Sequence, residues 1–183
     1  MTAFSGNWFQ RRAARRKAAS EAYRGLLRHA LEPAIYESGG VPDTFDGRAG
    51  LVTVMTTLAC VRLSRIPGPD AARMVILIDN LALDGFDAAF REKGVGDHSI
   101  ARKVRKLAQN HAGLGKALFA ALTAAEEFGK AETVAGILIR NGVVIPERAS
   151  ALSGQLLALK RHLEGLPDAQ VLSGRLDWPG QAA

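Results

Sequence analysis

Hydrophobic and polar positions along this chain repeat with helical spacing, and the β-branched residues form no alternating runs. Between residues 51 and 63 the one charge is Arg62, so a helix through this stretch is apolar almost all round and belongs inside a domain. Its entry is turn chemistry. Pro42 biases Val41 toward extended geometry, Asp43 and Thr44 bond back to nearby amides, Thr44 is placed to cap the helix, and Asp46 falls in the first turn, where the helix dipole favours a carboxylate. Pro67, Gly68 and Pro69 stop it. Thirteen residues separate Arg48 from Arg62, too few for the roughly 20 that a membrane span needs. The stretch therefore reads as a core helix.

The same periodicity predicts its neighbours. A helix is expected from residue 8 to about 31, capped by Ser5 or Asn7, with Tyr23, Leu26, Leu27, Ala30 and Leu31 docking its second half. Pro33 interrupts it and leaves a short turn over 34–37. A long, mostly buried helix follows over about 69–93, carrying Met74, Ile78, Leu81, Phe86 and Phe90. Gly94, Val95, Gly96 and Asp97 mark a tight corner, Gly94 suiting a left-handed helix end and Asp97 or Ser99 the next cap. Ile100, Val104, Leu107, His111, Leu114 and Leu118 then share one helical face. Two shorter helices are expected over about 131–140 and 147–164, before a polar tail pinned by Leu172, Leu176 and Trp178. The expectation is an all-α protein: a single compact helical domain of about six helices over 23–165, preceded by a basic amphipathic arm over 1–22 and followed by a tail over 166–183. There is no internal repeat and no linker of low complexity.

Charge changes this picture at one end. The net charge is +6, and residues 1–31 hold seven Lys or Arg against Glu21 alone, so the remaining residues balance at 17 of each sign. The arm is basic and the domain is neutral. Trp8 and Phe9 precede Arg11, Arg12, Arg15, Arg16 and Lys17. An aromatic tip on a basic helix suits an anionic membrane surface. A solvated leader, RNA or ribosome contact and an Arg-rich transit peptide are the alternatives, and the missing apolar h-region argues against a secretory signal. A second basic cluster, Arg102, Lys103, Arg105 and Lys106, lies near a helix start, where the dipole disfavours cations; it reads as a partner surface or a solvated face.

Candidate chemistry is sparse. Lone Cys60 in the apolar run reads as a packed thiol and fits a reducing compartment. Asp79, Asp84 and Asp87 have no Glu-x-x-His beside them and read as a solvated face. His29, His98, His111 and His162 are scattered, and His98 and His111 fall on different helix faces, so they receive no metal and no chemistry. The glycines at 94 and 96 lack a preceding strand and the Gly-Lys-Ser/Thr of a phosphate loop. No triad, metal set or cofactor site is expected, and an enzyme ranks behind a binding protein.

Pro33 to Tyr36, the G-G-V-P-D-T-F-D-G-R block at Gly39 to Arg48, and R-E-K-G-V-G-D at Arg91 to Asp97 followed by a basic helix together resemble the ubiquinol-cytochrome c chaperone family. The resemblance spans about residues 23–163. It implies an all-helical, non-catalytic assembly factor that binds newly made cytochrome b for the respiratory-chain ubiquinol:cytochrome c oxidoreductase, in some members with a small helper protein and near the ribosome. Matched by position, Pro42, Asp43, Thr44, Asp46 and Arg48 carry the first motif, and Gly94, Val95, Gly96, Asp97, Lys103 and Lys106 the second. Ala49-Gly50 departs from it, standing where a bulky apolar residue is expected. Phe45, Phe86 and Phe90 are candidates for an apolar client groove. The partners implied are cytochrome b, an anionic membrane surface and, as an open alternative, the ribosome, with no specific DNA and no cofactor; the implied location is the cytoplasmic face of the inner membrane. The competing reading is a helical nucleic-acid or ribosome-binding module using the arm and residues 102–106.

Overall fold

A computed structural model describes residues 3–38, 40–92, 97–125 and 129–179, with side chains placed outside 3–7 and 97–100. Among the described residues there are eight helices and no strand: α1 (Ala3–Ala30), α2 (Pro33–Glu37), α3 (Phe45–Ser64), α4 (Pro69–Glu92), α5 (Asp97–Thr123), α6 (Lys130–Arg140), α7 (Pro146–Glu164) and α8 (Asp168–Leu172). α3 is the central helix the apolar run predicts. Residues 51–63 are all buried, and α1, α4, α5 and α7 pack around them.

Thr44 caps α3 as expected, its side-chain oxygen accepting from the Gly47 amide at 3.1 Å. Gly47 is required there: a Cβ would lie 2.1 Å from the Pro42 carbonyl oxygen. Arg62, the charge inside the apolar run, is 5% exposed. It donates to the carbonyls of Leu163 (2.8 Å) and Leu166 (2.6 Å) and to Asp168 (2.5 Å), tying α3 to the end of α7 and to α8. A buried guanidinium is tolerated because its donors meet acceptors at a helix end, where carbonyls lack intrahelical partners.

The chain ends differ from expectation in detail. α1 is already helical at Ala3, upstream of the Ser5 or Asn7 cap, and it runs unbroken through residue 22 with Ala18, Ala19 and Ala22 buried. Residues 166–179 are more ordered than a polar tail. α8 forms within them, and Val171, Leu176 and Trp178 are buried in the core. Gly174 makes the turn, with φ +90 and no room for a Cβ against the Ala18 carbonyl. Trp178 stacks on His29 with centroids 5.3 Å apart, and burial holds the His29 imidazole below its usual pKa, against the pull of Glu32.

Candidate functional site

The first motif forms a locked corner. Arg48 donates to Asp43 at 2.6 Å and lies over the Tyr36 ring at 5.0 Å. Their pairing lowers the Asp43 pKa and raises that of Arg48. The Tyr36 hydroxyl donates to the Ala30 carbonyl at 2.6 Å, and burial pushes its pKa up to about 12. Backbone pairing of the Ile145 amide with the Gly40 carbonyl at 3.0 Å joins this corner to the loop before α7. Small residues at 49 and 50 have a steric reason: Ala49 is buried, and a Cβ on Gly50 would come within 3.1 Å of Val143.

α5 separates two recesses. At about 100° per residue, Leu107, His111, Leu114 and Leu118 face the core. Lys103, Lys106 and Asn110 fall on one flank, and Ala108, Ala112, Gly115 and Phe119 on the other. The first flank holds a mixed pocket of about 460 Å³ that Phe45 and Asp46 of α3, Phe90 of α4 and Lys103 and Lys106 of α5 line together. Phe45 and Phe90 close its base with ring centroids 4.4 Å apart. Asp46, Leu107 and Asn110 also border a neighbouring pocket of about 360 Å³ that runs to Arg140 and Gly142.

The second flank is the apolar one. Between α4 and α5 lies a groove of about 580 Å³, walled by Val75, Ile76, Leu83 and Phe119 and floored by Thr56, Thr57 and Cys60 of α3. It exists because α5 presents Ala108, Ala112 and Gly115 there, whose missing side-chain volume leaves the space open. Burial, with a smaller contribution from Asp79, pushes the Cys60 thiol up to about 12, so the floor carries no thiolate at neutral pH. Thr56 Oγ1 is buried beneath the groove without a hydrogen-bond partner among the described residues.

His111 sits on the seam between the two flanks and is 6% exposed. Its Nδ1 is 2.8 Å from Thr53 Oγ1 and its Nε2 is 2.9 Å from Asp79 Oδ1. If Thr53 donates to the Ala49 carbonyl, 2.9 Å away, Nδ1–H donates to the hydroxyl. If Thr53 donates to Nδ1 instead, the ring is neutral with its proton on Nε2. The order hydroxyl, imidazole, carboxylate is that of an activated nucleophile. Here Thr53 is 2% exposed and held by its own helix, so the three groups serve as an interhelical tie of α3, α4 and α5. Asp79 keeps to the solvated face, with its side chain 49% exposed, and His111 gains a structural role without chemistry. Asp87 also stays outside, paired with Arg91 at 2.8 Å. A polar residue on an otherwise apolar helical face was the available signal for His111; its partners lie 32 and 58 residues away in sequence, beyond what spacing reveals.

A third recess lies across α4. Trp8, Arg12, Arg15 and Arg16 of α1 meet Arg73, Ile76 and Leu77 of α4 around about 280 Å³. Trp8 and Phe9 are exposed and meet edge to face at 4.7 Å. Of the sequence candidates, Phe45, Asp46, Phe90, Lys103 and Lys106 thus converge on one pocket, and Trp8, Arg12, Arg15 and Arg16 on another. Phe86 is buried beneath, edge-on to His111 at 5.5 Å, and Arg48 is engaged in the corner. Gly94, Gly96 and the side chain of Asp97 lie outside the described residues. Arg11 and Lys17 are exposed on other faces of α1.

Two comparisons bear on this geometry. The model of the family described as ubiquinol-cytochrome C chaperone matches residues 37–178. A crystal structure of the Cbp3 homolog from Brucella abortus is similar over 94% of each chain, with a TM-score of 0.76 and 25% sequence identity. No curated protein matches.

Proposed function

Because the chain belongs to the ubiquinol-cytochrome C chaperone family, we propose that it binds newly made cytochrome b and holds it for assembly into ubiquinol:cytochrome c oxidoreductase. The observation that carries this reading is the apolar groove between α4 and α5. A membrane helix bundle met before assembly offers apolar side chains at i, i+3, i+4 and i+7, and a preformed apolar groove with polar ends takes such an edge. Asp79, Asn80 and Lys116 supply the polar ends. The mixed pocket of Phe45, Asp46, Phe90, Lys103 and Lys106 suits a polar loop flanking such a segment. The role is non-catalytic, since binding and release need no bond to be broken.

No described helix is long and apolar enough to cross a membrane. The client is met at the cytoplasmic face of the inner membrane, and Trp8, Phe9 and the arginines of α1 hold the protein there peripherally. Deleting the gene should lower both cytochrome b and the assembled complex while sparing unrelated membrane enzymes. Normal levels of both would sink the proposal. A nucleic-acid or ribosome-binding role through Arg102, Lys103, Arg105 and Lys106, all exposed, predicts binding that weakens steeply with salt. Absence of RNA binding at low ionic strength removes that alternative.

A further inference from the structure

The recess between α1 and α4 has features that a diffusely basic arm does not need. Trp8, Arg12, Arg15 and Arg16 follow i, i+4, i+7 and i+8 spacing, which puts them on the stripe of α1 that faces α4. α4 answers with a fourth arginine, Arg73, and with Ile76, which is 59% exposed, and Leu77. Four guanidinium groups from two helices therefore surround one space of about 280 Å³ with an aromatic and an aliphatic edge. Arg12 lies over the Trp8 ring at 5.5 Å, a cation–π contact that presents its planar fork. Arg15 Nε is buried without a hydrogen-bond acceptor. Asp70 forms an ion pair with that same Nε at 3.3 Å without hydrogen-bond geometry, so it offsets one of the four charges and leaves three.

We propose that this recess is a binding site for the phosphate of an anionic phospholipid headgroup in the bilayer. Guanidinium groups bind phosphate bidentately, and Trp8, Phe9 and Ile76 supply what a soluble phosphate would not use: exposed apolar side chains at the rim, placed to enter the headgroup and acyl boundary. Ile76 also walls the α4–α5 groove, so a lipid held here places the mouth of that groove beside the bilayer. The inference deepens the membrane contact of the proposed chaperone reading and rests on it for its bilayer. Its test needs no client, so the two can fail separately.

The full-length protein is floated with vesicles of phosphatidylcholine alone and of phosphatidylcholine mixed with phosphatidylglycerol, comparing Arg73→Glu and Arg16→Glu with Lys17→Glu. All three make the same charge change at exposed positions, but Lys17 is about half a helical turn away from the recess stripe. A built site predicts binding to the anionic vesicles that falls about tenfold or more for the arginine variants and far less for the lysine variant. Equal losses for all three mean charge attraction alone and overturn the site, as does a lack of binding to anionic vesicles. Binding of inorganic phosphate to the protein without any binding to the anionic vesicles would assign the recess to soluble phosphate and also overturn it. Fluorescence gives a second readout: Trp178 is buried and Trp8 is 52% exposed, so a blue shift on vesicle binding, lost in Trp8→Phe, reports entry of the recess rim into the bilayer.

Discussion

Replacing Arg62 with Met keeps a stem of similar length within α3 and removes three charge-assisted donors. Of their acceptors, Asp168 is 57% exposed and returns to water at little cost. The Leu163 carbonyl keeps a bond from the Leu166 amide at 3.2 Å, whereas the Leu166 carbonyl depends on Arg62 at 2.6 Å. One carbonyl stripped of its donor and one weakened, at about 1–3 kcal/mol for a fully unsatisfied buried group, gives a destabilisation of about 2–4 kcal/mol. That is a large share of a stability of about 5–15 kcal/mol. Asp168→Ala removes the exposed half of the ion pair and should cost under about 1 kcal/mol. Urea titration followed by circular dichroism measures both. Equal costs for the two variants would refute the reasoning, since the backbone carbonyls and not the ion pair are held to dominate.

Three further outcomes are expected. A Cβ on Gly85 would meet the Tyr23 hydroxyl at 2.4 Å, so Gly85→Ala should be unfavourable in the wild-type background and gain about 1 kcal/mol of helix propensity once Tyr23→Phe removes the oxygen; a double-mutant cycle reads the coupling. The folded Cys60 pKa is raised from 9.0 to about 12, so between those values the unfolded chain has lost the thiol proton and the folded chain keeps it. Stability should therefore be complete below about pH 9 and fall with rising pH, by up to about 1.4 kcal/mol per pH unit, and Cys60→Ala should flatten that limb in alkaline denaturation curves. In the native protein at pH 8 a thiol reagent should modify Cys60 far more slowly than in urea.

The architecture was legible where local rules carry it. The apolar run of α3, the Thr44 cap and the proline starts of α4 and α7 are decided by neighbours within a turn, and each appears where its residues place it. Leu176 and Trp178 pin the tail as their spacing suggested, but the start of α1, helix α8 and the partners of the tail were not legible, because they depend on distant packing: α8 forms against Arg62, and Trp178 against His29. Among site residues, the motif match brought out Asp46, Lys103 and Lys106 and the search for an apolar groove brought out Phe45 and Phe90, and these five share a pocket. The α4–α5 groove stayed hidden because it is made by an absence of side-chain volume at Ala108, Ala112 and Gly115, and small residues on a helix look alike whether they face solvent or a cleft. Arg73 was likewise invisible as a partner of the α1 arginines, since only the packing of α4 on α1 brings it there.

The most direct test of the client groove is affinity capture from gently solubilised membranes, comparing the wild-type protein with Ala112→Glu. Ala112 is exposed and lines the groove, so the substitution should change stability by no more than about 0.5 kcal/mol while placing a carboxylate where an apolar segment would lie. The account predicts that cytochrome b is recovered with the wild-type protein and reduced about tenfold or more with the variant. Failure to recover cytochrome b with the wild-type protein, or equal recovery with both, would contradict it.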